Sequence, residues 1–199
     1  MGHSLVRSGG GAVRRREMLH QTALPEAYQK AAYVQATAYP SYVDTEYTPN
    51  QDTRVCCKFE RITDSQFPAV YGTEKPRFSF LNSRADYGED IGVTIKKADK
   101  NVICCLDHNK NLIRVDSQEY TIGEYTAFEC SLPLYLFLLN GYIQASTQFL
   151  GRIYYCKIYE NNVLTRNLVP CFRKEDSAIG FYDLVTQKFY PGTGTFLYG

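Results

Sequence analysis

Glu124 and Glu129 come nearest, in type and spacing, to a catalytic pair in this chain. Some β-sheet glycosidases draw nucleophile, helper and general acid from one acidic strand motif, E-x-D-x-x-E. Here Glu124-Tyr125-Thr126-Ala127-Phe128-Glu129 keeps the outer glutamates but has Thr126 in place of the central acid. Residues five apart in a regular strand point to opposite faces, so these two carboxyls do not flank one bond. Nucleophilic catalysis finds no better footing. No G-x-S-x-G, phosphate-loop or dinucleotide motif occurs. Of the three histidines, His3 and His20 precede the strand-rich part, and His108 falls in the polar run Asp107-His108-Asn109-Lys110-Asn111, read as a solvent-facing turn. No catalytic residue is assigned, and a non-enzyme is expected.

Metal chemistry has one candidate set. Asp107, Asn109 and Asn111 alternate like the opening of a calcium loop, and Asp86, Glu89 and Asp90 offer further oxygens. Calcium is the ion such ligands suit. No Gly follows at position six and no Glu at twelve, so a plain hairpin loop is the simpler reading, and Asp86 to Asp90 reads as a turn. The seven cysteines include the doublets Cys56-Cys57 and Cys104-Cys105. Neighbours in a strand face opposite ways, so each doublet places one thiol inward and one outward. With no C-x₂-C spacing, these read as reduced structural thiols rather than a zinc site or a disulfide framework.

Sugar binding needs flat aromatic faces beside polar groups. Tyr87, Tyr125, Tyr142, Tyr155 and Tyr159, with Arg152, are the candidate carbohydrate contacts; Tyr71, Arg84 and Asn140 lie near them in sequence. The same tyrosines also suit contacts with protein subunits. A net charge of +1 gives no electrostatic footing for nucleic acid. Leu5-Val6 is too short for an export signal, and the apolar run Ser131 to Leu139 is too short to span a bilayer. A soluble product without signal peptide or membrane insertion is expected.

The elements that must position these residues are strands. Seventeen Tyr and eleven Phe with no Trp favour β structure, and a 44% hydrophobic share supplies a core. Turn signals separate short strand signals throughout, among them Ala31 to Ala36, Tyr42 to Tyr47, Thr53–Arg61, Val102 to Asp107, Gly151–Glu160, Val163 to Phe172 and Ile179–Asp183. A single strand is expected over Tyr120 to Ser131. In the hairpin at 151–164, Tyr154, Cys156 and Ile158 fall on one face and Tyr155, Lys157 and Tyr159 on the other. Asn161-Asn162 supplies the turn. Residues 1–27, with Gly9 to Gly11 and Arg14 to Arg16, are expected to make a flexible or helical basic arm ahead of a β domain at 28–199.

A family likeness rests on an ordered set of segments. Tyr33 to Thr37 and Tyr42 to Asn50 open it. Gly151 to Tyr159, Leu168-Val169-Pro170-Cys171 and Gly180 to Tyr190 close it. Together these resemble the laminin-G-like, concanavalin A-like lectin/glucanase domains of phage and prophage structural proteins from gut bacteria, over roughly Leu24 to Phe196. The resemblance implies an all-β, two-sheet antiparallel jelly-roll sandwich with a short N-terminal arm. It implies a tail, fibre or capsid-decorating virion component that mediates adhesion, with a host-surface glycan as ligand. Other virion proteins would be met through the arm, and a homo-oligomer is expected. A carbohydrate-active enzyme or its lectin module, and a purely structural interaction domain, are the alternatives.

Overall fold

A computed structural model describes residues 23–63, 66–89 and 91–199. Alternating burial along the chain produces strands β1 (Tyr28–Lys30), β2 (Val34–Ala36), β3 (Tyr42–Asp44), β4 (Thr53–Arg61), β5 (Ala69–Thr73) and β6 (Phe78–Leu81). There follow β7 (Arg84–Tyr87), β8 (Gly92–Thr94), β9 (Ile103–Asn109), β10 (Leu112–Val115), β11 (Gln118–Thr121), β12 (Tyr135–Leu136) and β13 (Leu139–Asn140). After a 3-10 turn at Ala145–Thr147 come β14 (Gly151–Glu160), β15 (Val163–Arg173), β16 (Ile179–Asp183), β17 (Lys188–Thr193) and β18 (Phe196–Tyr198). The fold is all-β and almost wholly antiparallel, with β13 parallel to β5.

Two ladders meet in one strand. The first runs β11-β10-β9-β4-β14-β15-β16-β17. Its flanks carry β1 on the end of β15 and β2 on the start of β14, with β18 beyond β2. The second runs β8-β7-β6-β5-β12-β3-β17. β17 pairs with β16 through Lys188 to Pro191 and with β3 through Gly192 and Thr193, which closes the structure toward a barrel. The inward faces share one core of Val34, Val55, Phe59, Tyr71, Phe80, Phe137, Phe149, Ile153, Ile158, Leu168 and Phe181. Phe59 sets its ring edgewise to Phe80 and Phe149 at 5.7 and 5.9 Å, the geometry that aromatic quadrupoles favour.

The strands expected at Thr53–Arg61, Gly151–Glu160 and Ile179–Asp183 occur with those bounds. Asn161 and Asn162 both take positive φ, 49° and 63°, as a two-residue hairpin turn requires. The cysteine doublets also divide as expected: Cys57 and Cys104 are buried, Cys56 is half-buried and Cys105 exposed, and all seven thiols are free. Burial pushes the Cys104 thiol up to about 11 and those of Cys130 and Cys171 to about 12, so these are packing groups and poor nucleophiles.

Other expectations need correction. The strand at Tyr120 to Ser131 ends at Thr121, and the chain then runs outside the ladders as far as the bridge of Asn50 with Glu129. Glu124 and Glu129 are thus exposed side chains on an irregular segment rather than members of one strand. Asp86 and Tyr87 belong to β7, not to a turn; Asp86 is buried and bonded to Ser79 and Arg84. Asp90 lies outside the described residues. Of the expected arm, residues 1–22, including Arg14 to Arg16, lie outside them too. Leu24 packs with Tyr28 against Cys171, Tyr182 and Phe189 on the outer face of the first ladder.

One contact sets the register between β16 and β17. A Cβ added at Gly180 would lie 2.2 Å from the Tyr190 carbonyl oxygen and 2.9 Å from Pro191 Cα. Both are backbone atoms that cannot step aside. Gly180→Ala is therefore expected to cost about 2 kcal/mol or more, read as a lowered thermal midpoint against wild type.

Candidate functional site

The outer face of β4 and β14 gathers rings and cations. Along β4 the outward residues are Arg54, Cys56, Lys58 and Glu60, since their partners in the alternation, Val55, Cys57 and Phe59, are buried. β14 begins with the same alternation and then breaks it. Ile153 pairs with Phe59 and Tyr155 with Lys58, so two β14 residues oppose one on β4. This is a β-bulge. It leaves Ile153, Cys156 and Ile158 inward and sets Tyr154 beside Tyr155 on the outside. Tyr154 is therefore not part of the packed face expected from simple alternation.

The bulge arranges the face into ring–cation pairs. The Lys58 ammonium lies 5.4 Å from the Tyr154 ring centroid, and that of Lys157 lies 5.8 Å from the Tyr155 ring. The Tyr154 hydroxyl donates to Glu60 Oε2 at 2.6 Å. Arg152 donates to the same carboxylate at 3.1 Å and to Gln35 at 2.9 Å, with its guanidinium 4.5 Å from the Tyr33 ring. Toward the other end, Arg54 grips both oxygens of Asp107 at 2.7 Å and lies 5.4 Å from the Tyr159 ring. Burial raises the phenols of Tyr154, Tyr155 and Tyr159, so all three are neutral hydroxyls near pH 7.

Between these rows lies a groove of about 630 Å³, lined by Lys30, Ala31, Ala32, Lys58, Tyr154, Tyr155, Val169 and Pro170. Its walls come from four places in the sequence: the end of β1 and the residues after it, then β4, β14 and β15. A neighbouring hollow of about 590 Å³ shares Lys30 and Val169 and extends past Leu24, Tyr28 and Lys174. Both volumes fall in the range of small-ligand sites. The walls offer ring faces, ammonium donors and short apolar side chains.

Of the expected carbohydrate contacts, Tyr155 alone lines this groove. Tyr159 and Arg152 share its face, at positions engaged with Arg54 and Glu60. Tyr87 is fully buried; its hydroxyl donates to the Gln51 carbonyl, and it presents no ring face to a sugar. Tyr125 packs edgewise on Tyr87 at 4.7 Å and borders a separate hollow with Asn111 and Glu124. Tyr142 is exposed on the loop after β13. The expected calcium ligands are placed by β9 and its turn. Asp107 is held by Arg54, and Asn111 donates to the Ile122 carbonyl at 3.1 Å. Asn109 pairs in register with Arg54. Among the described residues, no three His, Cys, Asp or Glu side chains come together as a metal site would need.

His108 departs most from its expectation. β9 runs on through Asn109, and Lys110-Asn111 make the turn, so His108 points inward and is wholly buried. Its Nδ1 meets the Tyr71 hydroxyl at 2.8 Å, and its ring stacks on Phe78 at 4.7 Å with 13° between planes. Desolvation lowers its pKa to about 3. It is a neutral core imidazole, remote from any groove.

Lys30, Lys58 and Tyr154 were not among the expected site residues. The alternation Arg54-x-Cys56-x-Lys58-x-Glu60 carries the signal for Lys58. Nothing in the sequence marks the bulge that exposes Tyr154. No family model matches the chain, and no curated protein matches its sequence. Among the described residues, no helix is long and apolar enough to cross a membrane.

Proposed function

We propose that this chain is a non-enzymatic adhesion module, a phage or prophage virion component of the laminin-G-like jelly-roll kind, whose β4–β14 face binds a surface glycan. The observation that carries this reading is the groove beside Tyr154 and Tyr155. Paired aromatic rings flanked by hydrogen-bond donors satisfy both the apolar face and the hydroxyls of a pyranose. The all-β architecture and its two ladders are consistent with a closed jelly roll. Glycoside hydrolysis would need two facing carboxylates, and the groove's described lining supplies none. Residues 1–27 would anchor the module to other virion proteins or sister subunits. Several copies on one particle would then multiply a weak site, because linked sites gain avidity without new contacts.

A glycan array run on the full chain tests the reading, once with calcium and once with chelator. Binding to a defined glycan set, reduced at least about tenfold in Tyr155→Ala, is the expected result, since base- or sugar-stacking aromatics contribute on that scale. Chelation should leave it unchanged, because no carboxylate lines the groove among the described residues. Silence across the array would overturn the reading and favour a structural role in which the outer tyrosines contact protein.

A further inference from the structure

We infer that the groove selects an anionic sugar, a glycan unit bearing a carboxylate or sulfate, with Lys30 and Lys58 as the groups that read the charge. This rests on the glycan-binding reading above and narrows it. The argument lies in how the cations of this face are partnered. Arg54 is neutralised by Asp107 and Arg152 by Glu60. At its margins Lys110 meets Asp52, Arg173 meets Asp176 and Lys188 meets Glu46. Lys30, Lys58 and Lys157 differ: among the described residues, no carboxylate lies within ion-pair distance of any of them, and the first two line the groove. The nearest acid in the β4 row is Glu60, and its Oε2 already receives Arg152 and the Tyr154 hydroxyl. Lys58 rests instead against the Tyr154 ring. Two ammonium groups without a carboxylate partner thus line one groove, with Lys157 beside it against Tyr155.

The rings narrow the ligand further. An anion alone would need only the ammonium groups, but here Lys58 stands over Tyr154, and Tyr155, Val169 and Pro170 line the same groove as Lys30. A ligand that matches both parts has an apolar face to lie on the rings and a negative substituent at its edge. A charged pyranose has both. Nucleic acid would require a continuous basic track, and this face alternates paired and unpaired cations on a chain of net charge +1.

The test compares neutral oligosaccharides with their sialylated, uronate-bearing and sulfated counterparts, titrated calorimetrically into the full chain. The charged members are expected to bind about tenfold tighter or better, the scale of one charge-assisted hydrogen bond, and to weaken with added salt. Lys30→Gln combined with Lys58→Gln should abolish that preference and its salt dependence, bringing charged and neutral members to a common affinity. Both side chains reach solvent, and a retained circular dichroism spectrum confirms folding. The carboxylate and sulfate arms show which anion is preferred. Equal binding of neutral and charged sugars, still sensitive to Tyr155→Ala, would overturn the charge inference and leave glycan binding intact. No binding by any member would overturn both.

Discussion

Acidification from about pH 7 to about pH 4 is expected to remove about 3 kcal/mol of folding stability through His108 alone. The sign follows from where the proton goes. In the unfolded chain His108 takes a proton below its ordinary value of 6.5, whereas the folded protein holds the ring neutral down to about 3. Between those limits the unfolded state binds more protons, so stability falls as the pH falls. Above 6.5 the penalty is absent. Burial is the dominant cause, and the charge of Asp107 opposes it only in part. Urea unfolding at a series of pH values measures the slope. A double variant, His108→Phe with Tyr71→Phe, keeps an aromatic ring on Phe78 and removes both partners of the buried hydrogen bond. It should flatten that component of the curve. An equal slope in wild type and double variant would show that His108 is not the group responsible.

Asp183→Ala is expected to be the most damaging single substitution on the groove side of the molecule, costing about 3 to 5 kcal/mol. The Asp183 carboxylate is fully buried at the end of β16. It accepts hydrogen bonds from the Asn167 amide at 2.7 Å, the Val185 amide at 3.0 Å and the Thr186 hydroxyl at 2.7 Å. Arg166 approaches to 3.7 Å. Removing the side chain leaves these donors without an acceptor and a cation without its anion. It also frees the β16–β17 turn from β15, the strand that brings Val169 and Pro170 to the groove. For a chain of this size the loss corresponds to a thermal midpoint lower by roughly 10 °C, measured by calorimetry. Asp183→Asn keeps one acceptor oxygen and should fall between wild type and alanine. A cost under about 1 kcal/mol would mean that the network is dispensable.

Much of the scaffold was legible where strands keep a period of two. The nine residues of β4 announce themselves by alternation, β14 does so on either side of its bulge, and Asn161-Asn162 marks the turn after it. Short elements carry no such signal. β1 and β7 hold three and four residues, and β7 was hidden because its Asp86, with Glu89 and Asp90 just after it in sequence, resembles a turn. His108 was misplaced for a related reason. One ring among Asp, Asn and Lys looks solvated until β9 is seen to continue past it. The binding face was the least legible feature. Tyr155 and Tyr159 could be assigned outward, but Tyr154 changes sides at a bulge that only the pairing with β4 creates. Lys30 joins the groove because β1 docks on β15, a contact between distant segments that no local pattern encodes.

That distance also governs how the protein can be made. β2 lies between β14 and β18, and Arg152 meets Gln35 across 117 positions of chain. On the ribosome, Val34 to Ala36 must wait for partners synthesised near the other end. Early hairpins such as β5–β6 and β9–β10 can form at once, because they join neighbours. β4 pairs with β9 soon after, yet its other edge stays open until β14 emerges. An unpaired strand edge is a template for the wrong partner, and crowded nascent chains would offer many such edges together. Slow decoding ahead of Gly151 would lengthen that exposure, so yield of this protein should depend on translation speed as much as on finished stability.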